Sequence, residues 1–236
     1  MLNVDGNKCK LIFAARHGQG WHNVAEAKYG TKAWNEYWSK LNTDGEIIWG
    51  PDPKLTPLGE REAQKLGGPF TLGGGINLND LPEVKARFSP LVVEYIRETN
   101  GEHTCDMRRT YGEIHSDFPT YRFEGSFTEQ DGLWTPERET DTHVAIRVRD
   151  VLDRIFESDA NLFISITSHS GWIGGLRSVT GHHDYNLPTG ASDNPSNSHK
   201  QAQLLKARYQ GCMNTMDCII VHRMQSNGQP NDGRTC

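Results

Sequence analysis

The sequence predicts an α/β fold, a three-layer α/β/α domain on a mainly parallel central sheet, and three observations predict it. Two short apolar runs, Leu11–Ala15 and Leu162–Thr167, read as buried strands. Segments of helical periodicity lie between them, so strand and helix alternate in the order that builds parallel sheets. Each run ends abruptly in a polar cluster, Arg16-His17-Gly18 after the first and Ser168-His169-Ser170-Gly171 after the second. Both histidines therefore fall at carboxyl ends of strands, where open α/β sheets gather their ligands.

In chain order, Lys10–Ala15 is the first strand, closed by a glycine-containing turn. Trp21–Leu41 is helical in its second half, with Trp34, Tyr37, Trp38 and Leu41 on one face as core or as a cover over the site. In LTPLGEREAQKLGGP, Thr56 is placed to cap a helix, Pro57 suits its first position, Glu60 and Glu62 favour its positive end, and Gly67-Gly68-Pro69 stops it. Gly73–Asn79 is a glycine-rich turn. Ser89-Pro90 reads as a cap and first residue of another helix, with Leu91, Val92, Tyr95 and Ile96 as its stripe. The clearest helix is Arg138–Phe156, where Val144, Val148, Val151, Leu152, Ile155 and Phe156 form one apolar face. Trp172–Val179 is a short helix after the second strand. Residues 1–190 are expected to form the catalytic domain. Residues 191–236 read as a polar C-terminal extension with one candidate edge strand at Cys218–Val221, an exposed loop at SDNPSNSHKQAQ and a disordered tail.

Bulk properties narrow the function classes. A chain of 236 residues can bury a substantial core. Its net charge of −5 argues against a general nucleic-acid or membrane-surface binder, which would be basic. No apolar run approaches the length of a membrane span. The polar start, MLNVDGNKCK, lacks the apolar core of a secretory signal. The five cysteines show no CxxC spacing and fit free thiols, so a cytoplasmic location is expected.

The two strand-end clusters carry the chemistry. A phosphoryl group bears nearly two negative charges on three oxygens and needs cations and directed donors around it. Arginine supplies a planar fork for those oxygens, neutral histidine is a competent nucleophile near pH 7, and glycine lets the backbone approach. Arg16, His17, Gly18 and Asn23 at one strand end and His169 at the other meet that specification. His22 either lines the pocket or caps a turn, and His182-His183-Asp184 reads as a surface loop rather than a metal site.

Taken in order, LIFAARHGQGWHN, DPKLTPLGEREAQKLG, RETNGEHTCDMRR and ITSHSG resemble the histidine phosphatase superfamily, specifically its fungal phosphoglycerate-mutase-like branch, over roughly residues 9–190. The resemblance implies a phosphomonoester hydrolase acting on a small phosphorylated metabolite. His17 would be the nucleophile that becomes phosphohistidine, Arg16 and Asn23 would hold phosphate oxygens, His169 would stabilise transition-state charge, and Glu98 would be the general acid. It implies no metal, no organic cofactor, and neither nucleic acid nor membrane as partner.

The sequence departs from the family after FSPL. The family follows SPL with an arginine that makes a second phosphate fork; here Val93 stands at that position and Glu94 follows. Each charge-assisted hydrogen bond contributes about 1.5–3 kcal/mol. Losing a bidentate arginine therefore costs about 3–6 kcal/mol, or ~10²- to 10⁴-fold in rate. Arg87, Arg97 and Arg108 are the nearby candidates to replace it. Leu91–Arg97 is also too short for the parallel crossover that the family places there. Three readings follow: a phosphatase with a rearranged pocket, a non-hydrolytic homologue in a fungal secondary-metabolite pathway, or a chain lacking one segment.

Overall fold

The computed structural model describes residues 8–66, 71–72, 76–77, 90–161, 163–183, 187–191, 204–209 and 218–222. Strand β1 (Lys8–Arg16) lies inside a four-stranded sheet, between β6 (Phe163–Ser168) and β7 (Leu204–Tyr209), with β8 (Cys218–His222) outside β7. β1 and β6 run parallel, with Ile12 opposite Ile164 and Arg16 opposite Ser168. This register brings both strands to their carboxyl ends together, which places His17 beside His169. β7 pairs antiparallel with β1 and β8 antiparallel with β7. The expected edge strand is therefore present, and residues 204–209, read from sequence as part of a polar extension, supply its neighbour in the same sheet. The polar stretch 192–203 and the tail 225–236 lie outside the described residues.

Alternation along β1 explains its central place. Ile12 and Ala14 face a core formed by Val144, Val148, Val151 and Leu152 of one helix, Trp172, Ile173 and Leu176 of another, and Ile166 of β6. Phe13 and Ala15, pointing the other way, are also buried, so both faces of the strand are covered as a layered α/β domain requires. The first of those helices is Asp141–Ser158, capped by Thr140, whose hydroxyl accepts from the His143 N–H. Lys10, buried in β1, donates from Nζ to the Asp159 and Asn161 carbonyls just past the helix end, a cation placed against its negative pole. The second is the helix Ser170–Val179, with His169 as its cap residue.

Trp21–Leu41, expected to be helical in its second half, is helical from its start and interrupted. It becomes α1 (Trp21–Tyr29), α2 (Thr31–Glu36) and a 3-10 turn at Trp38–Lys40. Gly30 stands at the break with φ +79°, a conformation that other L-residues resist. Trp34 and Trp49 form a second small core with Ala25, flanked by Trp38, while Tyr37 and Leu41 are exposed. The LTPLG helix, α3 (Pro57–Leu66), is as expected: Thr56 Oγ1 accepts from the Gly59 N–H at 3.1 Å. Its stop signal, 67–69, lies outside the described residues. Of the glycine-rich 73–79 segment, Ile76–Asn77 forms β3, paired antiparallel with β2 (Thr71–Leu72).

The helix expected from Ser89-Pro90 is not formed. Leu91–Val92 is instead strand β4, parallel to β5 (Arg122–Phe123), followed by a 3-10 turn at Glu94–Ile96. The stripe at Leu91, Val92, Tyr95 and Ile96 fits a helix, but β-branched Val92 and Val93 favour extended backbone. A short α4 (Tyr111–Asp117), capped by Thr110, precedes β5. The long helix Asp141–Ser158 is then α5 and the helix Ser170–Val179 is α6.

Candidate functional site

The site forms where β1 and β6 end. The His17 N–H donates to the Ser168 carbonyl at 3.0 Å, continuing the ladder by one residue. The His17 and His169 rings then stand 4.7 Å apart between centroids. His17 Nδ1 lies 2.7 Å from the Gly18 carbonyl oxygen. A carbonyl only accepts, so the proton sits on Nδ1 and the lone pair on Nε2.

Two glycines make this turn possible. A Cβ on Gly18 would lie 2.1 Å from the Gly59 carbonyl oxygen, and one on Gly59 would lie 2.1 Å from the Gln19 carbonyl oxygen. The RHG turn and the first turn of α3 therefore pack backbone against backbone, which links two motifs far apart in sequence. The Thr56 N–H donates to the Gln19 carbonyl, and Glu62 accepts from the Gln19 N–H at 2.8 Å. Gly18→Ala is expected to destabilise by about 1–3 kcal/mol, read as a lower urea midpoint.

Arg16 donates from Nη1 to the Leu187 carbonyl at 3.1 Å, and its buried Nε has no partner among the described residues. Asn23 Oδ1 accepts from the Gly20 N–H at 2.9 Å, fixing the N-terminus of α1. No acidic residue stands in the first turn of α1, so its positive end remains available to an anion. Glu98 reaches the start of α6: Ser170 Oγ donates to Oε2 at 3.1 Å, and a Cβ on Gly171 would fall 2.2 Å from Oε1. The structure thus gathers His17, His169, Arg16 and Glu98, while Asn23 caps the helix that follows the RHG turn.

Glu98 is held without a crossover helix. Arg147, buried on α5, uses all five of its N–H groups. Nε and Nη2 donate to the Glu139 carboxylate at 2.7 and 2.6 Å, Nη1 to the Tyr95 and Arg97 carbonyls, and Nη2 also to the Glu98 carbonyl. Trp172 Nε1 donates to the Tyr95 carbonyl and Ser168 Oγ to that of Ile96. Side chains thus collect every carbonyl from Tyr95 to Glu98. Sequence reading missed Arg147, although a charged residue between Val144 and Val148 on an apolar helix face is a visible signal.

The candidates for a second phosphate fork are engaged. Arg97 makes a bidentate pair with Asp131 at 2.8 and 2.7 Å, and Arg108 pairs with buried Glu94 at 2.8 Å while stacking on Phe127. Arg87 lies outside the described residues. Val93 packs against the main core. Elsewhere, His103, Cys105 and Asp106 bring ligand-type atoms within 4.8 Å of one another, but the Arg138 guanidinium pairs with the Asp106 carboxylate at 2.5 Å. His182 and His183 sit just beyond α6, with Asp184 outside the described residues.

Burial sets the charge states. It lowers the pKa of His17 from its ordinary value, and more strongly that of His169, where His17 and Arg16 add repulsion. Burial, with repulsion from His17 and His169, brings His22 down to about 3, and burial brings His103 to about 4. In the unfolded chain these four protonate near pH ~6.5, so between that value and their folded values the unfolded state binds more protons. Stability is then fully present above pH ~6.5 and is lost as pH falls. Asp106, pushed up to about 7 by burial, acts in the opposite sense by one proton between pH ~4 and 7. A net loss of stability as pH falls from 7 to 5 is expected, measured by urea unfolding at each pH.

No family model matches the chain. It is 43% identical over 206 residues to a "Probable phosphoglycerate mutase" of Arthroderma benhamiae, a match covering 77% of this chain and 61% of that protein. It is 32% identical over 213 residues to "Phosphomutase-like protein 3" of Candida albicans, covering 80% of this chain and 65% of that protein. It therefore spans a little under two thirds of the length of these two relatives. A "Probable phosphoglycerate mutase" of Saccharomyces cerevisiae matches at 32% identity over 231 residues, 80% of this chain and 78% of that protein. Together with the order of motifs around His17 and His169, this similarity shows that the chain belongs to the phosphoglycerate-mutase-like branch of the histidine phosphatase superfamily.

Proposed function

We propose that the chain hydrolyses a small phosphomonoester through a phospho-His17 intermediate. One observation carries this reading: His17 presents a bare Nε2 beside His169, with Nδ1 tied to its own turn. In the first step Nε2 forms a bond to phosphorus as the bond to the ester oxygen breaks, and the Glu98 carboxyl gives its proton to the departing alkoxide. In the second, water attacks phosphorus, its proton passes to the Glu98 carboxylate, the P–N bond breaks and phosphate leaves. Arg16, Asn23 and the N-terminus of α1 hold the oxygens, and no metal or organic cofactor enters either step.

Charge supports hydrolysis over mutase chemistry. Retaining a bisphosphate needs cations for two groups, while Arg97 and Arg108 are already neutralised by Asp131 and Glu94. The half-buried Cys105 thiol, free among the described residues, fits the expected reducing cytoplasm.

Val93, packed against the core, and the paired arginines favour a second reading, a non-hydrolytic homologue serving a biosynthetic pathway such as secondary metabolism. The deciding assay is phosphate release from a generic aryl phosphate between about pH 4 and 8, with a denaturing alkaline quench to trap an acid-labile, base-stable phosphoenzyme. Release with trapping supports the hydrolase; neither, above the level of a His17 variant, supports the second reading.

A further inference from the structure

The imidazole of His22 is unaccounted for in this scheme. Its ring centroid stands 5.3 Å from that of His17, and its electrostatic neighbours are His17, His169, Glu98 and Arg16. Yet its buried Nδ1 has no partner, and neither ring nitrogen makes a hydrogen bond among the described residues. Burying an unpaired polar group is costly, so an unpaired imidazole at the centre of a site marks a group that waits for a ligand. The structure also keeps a place for the ring: a Cβ on Gly20 would lie 2.6 Å from both Nδ1 and Cε1.

We propose that His22 is a binding residue for the phosphoryl group, donating a hydrogen bond from Nε2–H to one of its non-bridging oxygens. This rests on the phosphatase reading and deepens it. The tautomer follows from the packing. A buried N–H without an acceptor is rarer and costlier than a buried lone pair without a donor, so the proton belongs on Nε2 and the lone pair on the enclosed Nδ1. The ring stays neutral, since burial and the neighbouring histidines lower its pKa to about 3. A neutral directed donor stabilises an oxyanion without reorganisation, as in an oxyanion hole. It also stands at the N-terminus of α1, whose dipole favours the same anion. His22 would thus supply part of what a second arginine fork supplies elsewhere in the family.

The test is calorimetric titration of orthovanadate, a mimic of the pentacoordinate phosphoryl group, into the wild-type chain, His22→Phe and Gly20→Ala, with urea unfolding of each. His22→Phe is expected to weaken vanadate binding about 10- to 100-fold, the loss of one hydrogen bond to a charged group. Its stability should be unchanged or raised, because an unpaired buried polar atom has gone; a structural histidine would show the reverse. Gly20→Ala keeps His22 but displaces its ring, and should weaken binding in the same direction. Wild-type binding with undiminished affinity in a folded His22→Phe overturns the proposal and leaves the phosphatase reading standing. Should His22→Phe fail to fold, full affinity in Gly20→Ala overturns it. A wild type that binds no vanadate overturns both.

Discussion

His17→Ala is expected to abolish phosphomonoester turnover, by about 10⁴-fold or more, while leaving the fold intact. The size follows from the absence of a substitute nucleophile among the described residues: His169 and His22 stand beside His17, and neither has its ring tied by a carbonyl as His17 does. The intact fold follows from what the ring touches. Among the described residues the side chain's one hydrogen bond is to the carbonyl of the next residue, so truncation strands no distant partner. The variant should also gain relative stability in acid. Burial lowers the His17 pKa in the native state, so the wild type loses stability as pH falls below ~6.5. The alanine variant carries no such penalty, and the difference between the two urea midpoints should shift in its favour from pH 7 to 5. Retained turnover in a folded His17→Ala would end the phosphohistidine mechanism, and the phosphatase assignment would then need another nucleophile.

What was legible in sequence was whatever local pattern dictates. β1, β6 and α5 carry their apolar residues at the right period, and the cap at Thr56 is local chemistry, whereas α5 begins at Asp141 after a Thr140 cap rather than at the expected Arg138. Strand ends then predicted where His17 and His169 would meet. The 89–98 segment failed for an identifiable reason. Its apolar residues fit a helical stripe, but its conformation is decided by α5 and α6, whose Arg147 and Trp172 collect its carbonyls from far along the chain. Such donors have no local signature beside the acceptors they serve. The same holds for Gly18 and Gly59, whose mutual approach joins two motifs that sequence shows only as separate. His22 was visible but ambiguous, because a histidine before a capping asparagine reads equally as a cap or a ligand until its neighbours are known.

Arg147→Met is expected to destabilise the protein by about 3–5 kcal/mol, because it breaks a buried ion pair by removing one partner. At this chain length that corresponds to a fall in Tm of roughly 6–20 °C. The Glu139 carboxylate, held down to about 2 by the guanidinium and the Asn100 N–H, would be left buried with its main partner gone. The sign of its pH dependence follows: a depressed carboxylate contributes stability above its unfolded value near ~4.3 that is lost as pH falls towards about 2. The wild type should therefore lose this contribution below pH ~4, and Arg147→Met should lack it at every pH. The double variant Arg147→Met, Glu139→Gln should recover part of the loss, since it removes the stranded charge. Catalysis supplies a readout that stability alone does not move. Freed from Arg147, the Glu98 backbone loses its anchor, so proton delivery to the leaving group should suffer more than attack by His17. An alkyl phosphate, whose alkoxide needs that proton, should then slow by ~10²-fold or more, and a p-nitrophenyl ester, whose leaving group does not, far less. Equal slowing of both substrates below the unfolding temperature would mean that Arg147 supports the fold without placing Glu98.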